Sequence, residues 1–117
     1  MAIQQEIGNN GENIAAEYLQ KAGFEIVERN FRSGKSEIDI IGKKDKVLVF
    51  VEVKARSSSK YGNPEDFVNE AKATKIMEGA ESYMNQIGWS GAIRFDIISV
   101  VFNSNKTEVK HFKDAFY

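Results

Sequence analysis

The sequence predicts an α/β fold in which two helices pack against a mixed central β-sheet. Two segments, 11–23 and 61–88, place apolar residues at the 3.6-residue spacing of amphipathic helices. The other ordered segments are shorter and either alternate or run apolar, which is typical of strands. These predicted strands cover residues 24–32, 36–42, 47–56, 92–102 and 107–116. The predicted order is therefore α-β-β-β-α-β-β.

The first predicted helix carries one apolar stripe, formed by Ala15, Tyr18, Leu19 and Ala22. Gly23 follows the last of these residues, in the position where helices commonly end in a left-handed glycine.

The second predicted helix is the long one. Pro64 suits its first turn, because proline lacks the N–H that would have no partner there. Its buried stripe is predicted to consist of Ile76, Ala80, Tyr83, Met84 and Ile87.

Length and composition are those of one globular domain spanning residues 1–117. No apolar run approaches the roughly 20 residues of a membrane helix, and the N-terminus lacks the regions of a signal peptide. The chain has no cysteine, which excludes disulfides and fits a reducing compartment such as the cytoplasm. The net charge of −1 excludes a globally basic nucleic-acid binder, so any such role needs a local patch.

Charged residues lie in the most apolar segment of the chain, the predicted strand 47–56. Its valines share one face, whereas Glu52, Lys54 and Arg56 follow Leu48 and Phe50 on the other. Unpaired charges in a central strand are costly, so Glu52 and Lys54 need partners.

Asp39, in the preceding strand, is a candidate partner of this pair. Carboxylates that converge from neighbouring strands suit a hard cation such as Mg²⁺ or Mn²⁺. A lysine beside them orients or activates water, a combination that suits phosphodiester hydrolysis. On spacing alone, a salt-bridge cluster at the end of the sheet is the favoured interpretation. Glu37 lies on the same strand face as Asp39 and has three possible roles. In order of preference, it is a solvated charge, a partner of Lys54 or a metal ligand.

The turn between residues 42 and 47 decides whether Asp39 and Glu52 share a face. A three-residue turn over 43–45 puts them on opposite faces of the hairpin. A four-residue turn over 43–46 pairs Gly42 with Val47 and puts both on one face, and a bulge has the same effect. A shared cation site therefore requires an even-length turn or a bulge.

Several other polar or aromatic residues receive structural interpretations. Arg94 and Asp96 share a strand face and predict an internal salt bridge. His111 is predicted to be structural or exposed, and Trp89 to anchor a loop. The lysines of "GKKDK" at 42–46 fit a solvated turn and, alternatively, contacts to a nucleic-acid backbone.

The order Asp39, then Glu52-Val53-Lys54, resembles the signature of the restriction-endonuclease-like PD-(D/E)xK superfamily. From Gly8 to about Val101 the chain is similar to the YraN-like bacterial family, which is related to archaeal Holliday-junction resolvases. The chain has Ser36 where that family usually has glycine. The matching blocks are "GxxGExxAxxYL" at 8–19, "GFEIVERNFR" at 23–32, "EIDII" at 37–41, "VFVEVKAR" at 49–56, "YGNP" at 61–64, Lys72 with Lys75, and "RFDI" at 94–97.

The resemblance implies a restriction-endonuclease-like fold and a role for each matching residue. Asp39, Glu52 and Lys54 would be catalytic, the lysine by assisting the attacking water. The implied metal ligands are Glu12, Asp39 and Glu52 for Mg²⁺ or Mn²⁺, and the implied nucleic-acid contacts are Arg56, Lys72 and Lys75.

The expected function is metal-dependent endonucleolytic hydrolysis of DNA, at branched or damaged sites. The expected partner is then DNA, and no association with a membrane is expected. Cleavage of a junction would imply a homodimer, because it needs two coordinated cuts. The alternative is a non-catalytic module on the same fold that binds nucleic acid or protein and uses the charges structurally.

Overall fold

The computed structural model describes residues 2–57, 69–103 and 106–116, with the side chains of 2–8 left aside. The helices and strands follow the predicted order α-β-β-β-α-β-β, and none of the described helices has the length and apolar character needed to cross a membrane. The elements are α1 (Ala2–Lys21), β1 (Glu25–Ser33), β2 (Ser36–Lys44), β3 (Val47–Arg56), α2 (Glu70–Ile87), β4 (Ala92–Phe102) and β5 (Thr107–Phe112).

The five strands form one mixed sheet in the order β1-β2-β3-β4-β5. β3 and β4 are parallel, and the other neighbours are antiparallel. The parallel pair requires a crossover, and α2 lies in that connection. The predicted mixed α/β fold is confirmed.

β3 lies at the centre of the sheet and is covered on both faces. Val49 and Val51 pack in the cluster that contains α1, whereas Leu48 and Phe50 pack in the cluster that contains α2. All four side chains are buried, and each contributes roughly 1.5–3 kcal/mol by leaving water. The two-faced character predicted for this strand is confirmed.

The predicted end of α1 is confirmed by its hydrogen bonds. Gly23 has a φ of 96°, and the N–H of Phe24 donates to the carbonyl of Leu19 at 2.9 Å, which closes the last turn. The helix itself is longer than predicted, since it begins at Ala2.

α2 begins at Glu70, with Asn69 accepting a hydrogen bond from the N–H of Lys72, and Pro64 lies outside the described residues. The prediction that Ile87 is buried is wrong, because its side chain is 48% exposed. Ile87 is the last residue of the helix, and Trp89, after the cap, packs against the α2 cluster instead.

The hairpin between β2 and β3 has a two-residue turn, Asp45 and Lys46, both with positive φ. Neither the three-residue nor the four-residue turn considered from the sequence occurs. Lys43 and Lys44 remain paired in β2, although both are polar. The ammonium of Lys44 is held by the carbonyl of Ala22 at 2.6 Å, which lets a lysine end the strand. The turn is nevertheless of even length, as a shared Asp39–Glu52 site requires.

α1 approaches β3 closely at Gly11. A Cβ at this position would collide with the Cβ of Ala55, one residue after Lys54. Glycine is therefore the residue that lets α1, with Glu12 on it, lie against the charged end of β3.

We expect Gly11→Ala to destabilise the protein by about 1–3 kcal/mol, although alanine is the better helix former. Neither Cβ can rotate away, so a backbone must move. Urea unfolding measures the effect, with Asn10→Ala at an exposed position of the same helix as the control, for which we expect a neutral or stabilising result. Equal stability of Gly11→Ala and the parent would contradict the close approach of α1.

Candidate active site

β2 and β3 separate at Asp39, and the Asp39 side chain bridges the point of separation. Their pairing runs from Lys44 opposite Val47 to Ile40 opposite Val51. Beyond it, Oδ2 of Asp39 accepts a hydrogen bond of 2.8 Å from the backbone N–H of Val53. The Asp39 side chain thus accepts the hydrogen bond that the N–H of Val53 would otherwise donate to a neighbouring strand. This contact places Asp39 beside Glu52 on β3.

β2 is irregular at this same point. Ile38 packs in the α2 cluster and Ile40 in the α1 cluster, although residues two apart share a face in a regular strand. On β1, Asn30 lies between the residues that pair with Ile38 and Ile40, and its φ is 53°. The strand therefore changes face around Asp39, which places this carboxylate at the boundary of the two packed faces.

A cavity of about 470 Å³ opens in front of the separated strands. Its acidic side chains come from β2 and β3, and its basic side chains from α2 and the β1–β2 turn. The charged residues that line it are Lys35, Glu37, Asp39, Glu52, Lys72 and Lys75. Asp39 and Glu52, which the sequence predicts to converge, therefore line one cavity together with two of the predicted nucleic-acid contacts.

Glu52 is buried and forms two ion pairs. Its Oε1 lies 3.2 Å from Nζ of Lys72 on α2 and 4.0 Å from Nζ of Lys54 on its own strand. The sequence predicted the need for compensation but not Lys72 as the nearer partner. No spacing signal links residues 52 and 72, because the contact depends on how α2 packs.

The Asp39 carboxyl group has a strongly shifted proton affinity. Burial, and then the charge of Glu52, raise its pKa to about 8, despite the opposing hydrogen bond from Val53. A carboxyl group that holds its proton near neutral pH is frequent at functional sites and rarer elsewhere.

The two lysines beside Glu52 are shifted in opposite directions. Burial, and then the adjacent Lys72, lower the pKa of Lys54. Burial alone would lower the pKa of Lys72 as well, but the Glu52 carboxylate and the hydrogen bond with Lys54 outweigh it and raise that pKa. Lys54 therefore releases its proton more readily than Lys72 does.

Glu12 faces this cluster from α1. Burial raises its pKa, against the opposing charge of Arg29, whose Nη2 lies 3.8 Å from its Oε1. The charges of Glu37 and Glu52 raise the pKa further, so Glu12 lies within electrostatic reach of the cavity's acids. It does not line the cavity itself.

Two further charged residues lie at the margin of the site. Arg56 is half-buried at the end of β3 and does not line the cavity. Glu37 is exposed and lies 3.6 Å from Arg32, so its carboxylate is a solvated strand charge at the cavity rim, which was its first interpretation from the sequence.

A second polar network lies around Asp96, which is fully buried. Arg94 donates two hydrogen bonds of 2.8 Å to it, and the predicted internal salt bridge is confirmed. Nε2 of His111 lies 2.7 Å from the same carboxylate, and Nδ1 lies 3.1 Å from the Tyr18 hydroxyl. Burial alone would raise the pKa of Asp96, but the hydrogen bonds from His111 and Arg94 hold it at about 2. The structural role predicted for His111 is confirmed, with partners on β4 and α1 that the sequence did not predict.

Comparison with known proteins identifies the family. The model of the uncharacterised protein family UPF0102 matches residues 11–100. A UPF0102 protein of Flavobacterium psychrophilum is 43% identical over 100% of this chain and 98% of its own length. This chain belongs to UPF0102. A UPF0102 protein of Clostridium kluyveri is 42% identical over 98% of this chain and 97% of its own. The predicted YraN-like membership is therefore confirmed.

The site of this UPF0102 chain offers two carboxylates to a cation. Within residues 2–57, 69–103 and 106–116, no three acidic or histidine side chains are close enough to form a ready-made metal site. Asp39 and Glu52 nevertheless suit Mg²⁺, which usually takes one or two protein carboxylates and completes its shell with waters and substrate phosphates.

The stability of this UPF0102 member should fall as the pH rises from about 4 to about 8 in EDTA, and Asp39→Asn should reduce that fall. The folded protein holds the Asp39 proton up to a pKa of about 8, whereas an unperturbed aspartate carboxyl has a pKa of 3.8. Below the lower pKa, Asp39 is protonated in both the folded and the unfolded protein. Between the two pKa values only the folded protein keeps this proton, so the free energy of unfolding falls as the pH rises.

Urea unfolding across this pH range measures the effect, with a slope of up to about 1.4 kcal/mol per pH unit. Asp45→Asn makes the same chemical change in the exposed turn and is the control. Parallel stability curves for the parent and Asp39→Asn would contradict the shifted pKa.

Proposed function

We propose that this protein is a metal-dependent endonuclease that hydrolyses DNA phosphodiester bonds. The observation that carries the proposal is that Asp39 and Glu52 line one cavity, with Lys54 beside Glu52 and with Lys72 and Lys75 of α2, here called the basic wall, in the same lining. The charge order Asp39, Glu52, Lys54 is the one that the restriction-endonuclease-like resemblance implies for catalysis.

Asp39 and Glu52 would hold Mg²⁺ or Mn²⁺, and Glu12 would support them from α1. A bound divalent cation supplies polarisation of a phosphoryl oxygen and a more acidic water. Binding requires Asp39 to release the proton that its pKa of about 8 retains, so cation affinity should rise with pH.

Lys54 is the residue that would assist the attacking water. Its side chain is 22% exposed and its Nζ lies 4.0 Å from Oε1 of Glu52, although Lys54 itself does not line the cavity. Its lowered pKa increases the fraction of the amine that is unprotonated, which is the form that can accept a proton from that water.

DNA would enter along the basic wall, where Lys72 and Lys75 are presented by the first turns of α2. These contacts are local, which is consistent with a chain whose net charge is −1. Arg56 would contact the backbone beyond the cavity, and at a four-way junction a homodimer would supply the second cut. The protein would act on branched or damaged DNA in the cytoplasm.

A second candidate function is a non-catalytic nucleic-acid-binding or protein-interaction module. One observation favours it, namely that Glu52 is already paired with Lys72 and Lys54, as a structural salt-bridge cluster requires. Such a module would bind DNA with ordinary salt dependence and without a cation requirement.

The direct test is a cleavage assay on four-way, nicked, single-stranded and duplex DNA with Mg²⁺ or Mn²⁺. We expect Glu52→Gln to reduce cleavage by at least about 100-fold, because an amide is a much weaker ligand for a hard cation. Glu108→Gln, which removes an exposed carboxylate 3.4 Å from Lys106, is the matched control and should cut like the parent. Undiminished cutting by Glu52→Gln would refute the assignment of Glu52, and salt-sensitive binding without any cutting would favour the second function.

Cation binding should also be visible without DNA. We expect Mn²⁺ to raise the melting temperature of the parent and to raise that of Asp39→Asn less, because a ligand that binds only the folded state stabilises it. At about 100 times the dissociation constant the gain would be about 2.7 kcal/mol. Equal shifts for the two proteins would identify the carboxylates as a purely structural cluster.

A further inference from the structure

Lys72 is paired with the Glu52 carboxylate, the group that would bind a cation under the proposed function. The Glu52 side chain is only 8% exposed, and Lys72 Nζ lies 3.2 Å from its Oε1. A divalent ion bound to that carboxylate would face this ammonium at close range, and like charges at such distances repel strongly in a partly buried site. Lys72 and the cation therefore compete for Glu52.

Lys72 is also the partner of Glu52 that is free to move. Lys54 is attached to the same strand two residues away and is 22% exposed, whereas Lys72 is 42% exposed. Lys72 extends from the first turn of α2, whose backbone is fixed by the Asn69 cap, and its long side chain lines the open cavity. Moving it requires only rotation of the side chain.

A pairing of this kind has a physical use in the cation-free protein. A buried carboxylate left without a partner is strongly destabilising, so Glu52 needs a positive charge whenever the cation is absent. Lys72 supplies that charge. Once a cation supplies it, the ammonium needs a new anion, and a lysine ammonium is a common ligand of phosphate.

We propose that Lys72 exchanges partners, from Glu52 in the cation-free protein to a DNA backbone phosphate when a divalent cation binds Glu52. The inference rests on the proposed function and adds a mechanism of coupling to it. When a cation binds Glu52, the Lys72 ammonium becomes available to bind a phosphate. When a phosphate binds Lys72, the Glu52 carboxylate becomes available to the cation. The two affinities must then rise together and by the same factor.

The first experiment measures Mn²⁺ affinity by calorimetry, without DNA, for the parent, Lys72→Met and Lys35→Met. We expect Lys72→Met to bind Mn²⁺ about tenfold more tightly, a gain equivalent to about 1.4 kcal/mol, because the competing ammonium is gone. Lys35 lines the same cavity from the β1–β2 turn, so Lys35→Met removes an equal charge without removing an ion pair of Glu52. We expect its Mn²⁺ affinity to stay within about twofold of the parent.

The second experiment measures the affinity for a fluorescent four-way junction, with and without Ca²⁺ as a hard cation, by anisotropy. We expect Ca²⁺ to tighten DNA binding by the parent and by Lys72→Arg, which retains a long cationic side chain, and to tighten it much less for Lys72→Met. Equal Ca²⁺ effects in the parent and Lys72→Met would overturn the exchange.

The outcomes separate this inference from the proposed function. If the parent binds Mn²⁺ and cuts DNA, but Lys72→Met binds Mn²⁺ no more tightly, the exchange is wrong and the nuclease assignment stands. If neither protein binds Mn²⁺, the cation site and the exchange both fail. Circular dichroism of each variant checks folding, and Lys72→Gln, which also removes the positive charge, takes the place of Lys72→Met if that variant does not fold.

Discussion

The register between β2 and β3 is the constraint on which the candidate site depends. A two-residue turn at Asp45 and Lys46 fixes the pairing as far as Ile40 and Val51, and the strands then separate. At that point the Asp39 side chain accepts a hydrogen bond from the N–H of Val53, and this bond holds Asp39 in place beside Glu52. A shift of one residue in this hairpin would move every β2 side chain to the other face and separate the two carboxylates.

Charge balance at the separation point links the fold to the proposed chemistry. The site brings carboxylates on β2 and β3 together with lysines on β3 and α2, and burial and the neighbouring charges shift the pKa values of Asp39, Lys54 and Lys72. Without a cation, Asp39 is satisfied by a proton and Glu52 by Lys72. Under the proposed function a divalent ion would replace both arrangements, so the same geometry would serve a stable cation-free protein and a site for metal and phosphate.

The element order, both faces of β3 and the end of α1 at Gly23 were predictable, because periodicity and a left-handed glycine are local signals. The turn length was not, since Lys43 and Lys44 are polar yet remain in β2, with Lys44 held by the carbonyl of Ala22. The sequence predicted that Glu52 needs a partner, but only the packing of α2 identifies Lys72 as the nearer one. The partners of His111 also depend on tertiary contacts, and spacing carries no signal for them.

The most direct test of the account is a crystal structure of the protein soaked in Mn²⁺, with anomalous scattering used to locate the ion. We expect one anomalous peak between Asp39 and Glu52, at roughly 2.0–2.3 Å from a carboxylate oxygen of each, with the Lys72 ammonium moved away from Glu52. A saturating Mn²⁺ concentration that leaves no peak there, with Lys72 still paired to Glu52, would contradict the central claim that these carboxylates form a cation site.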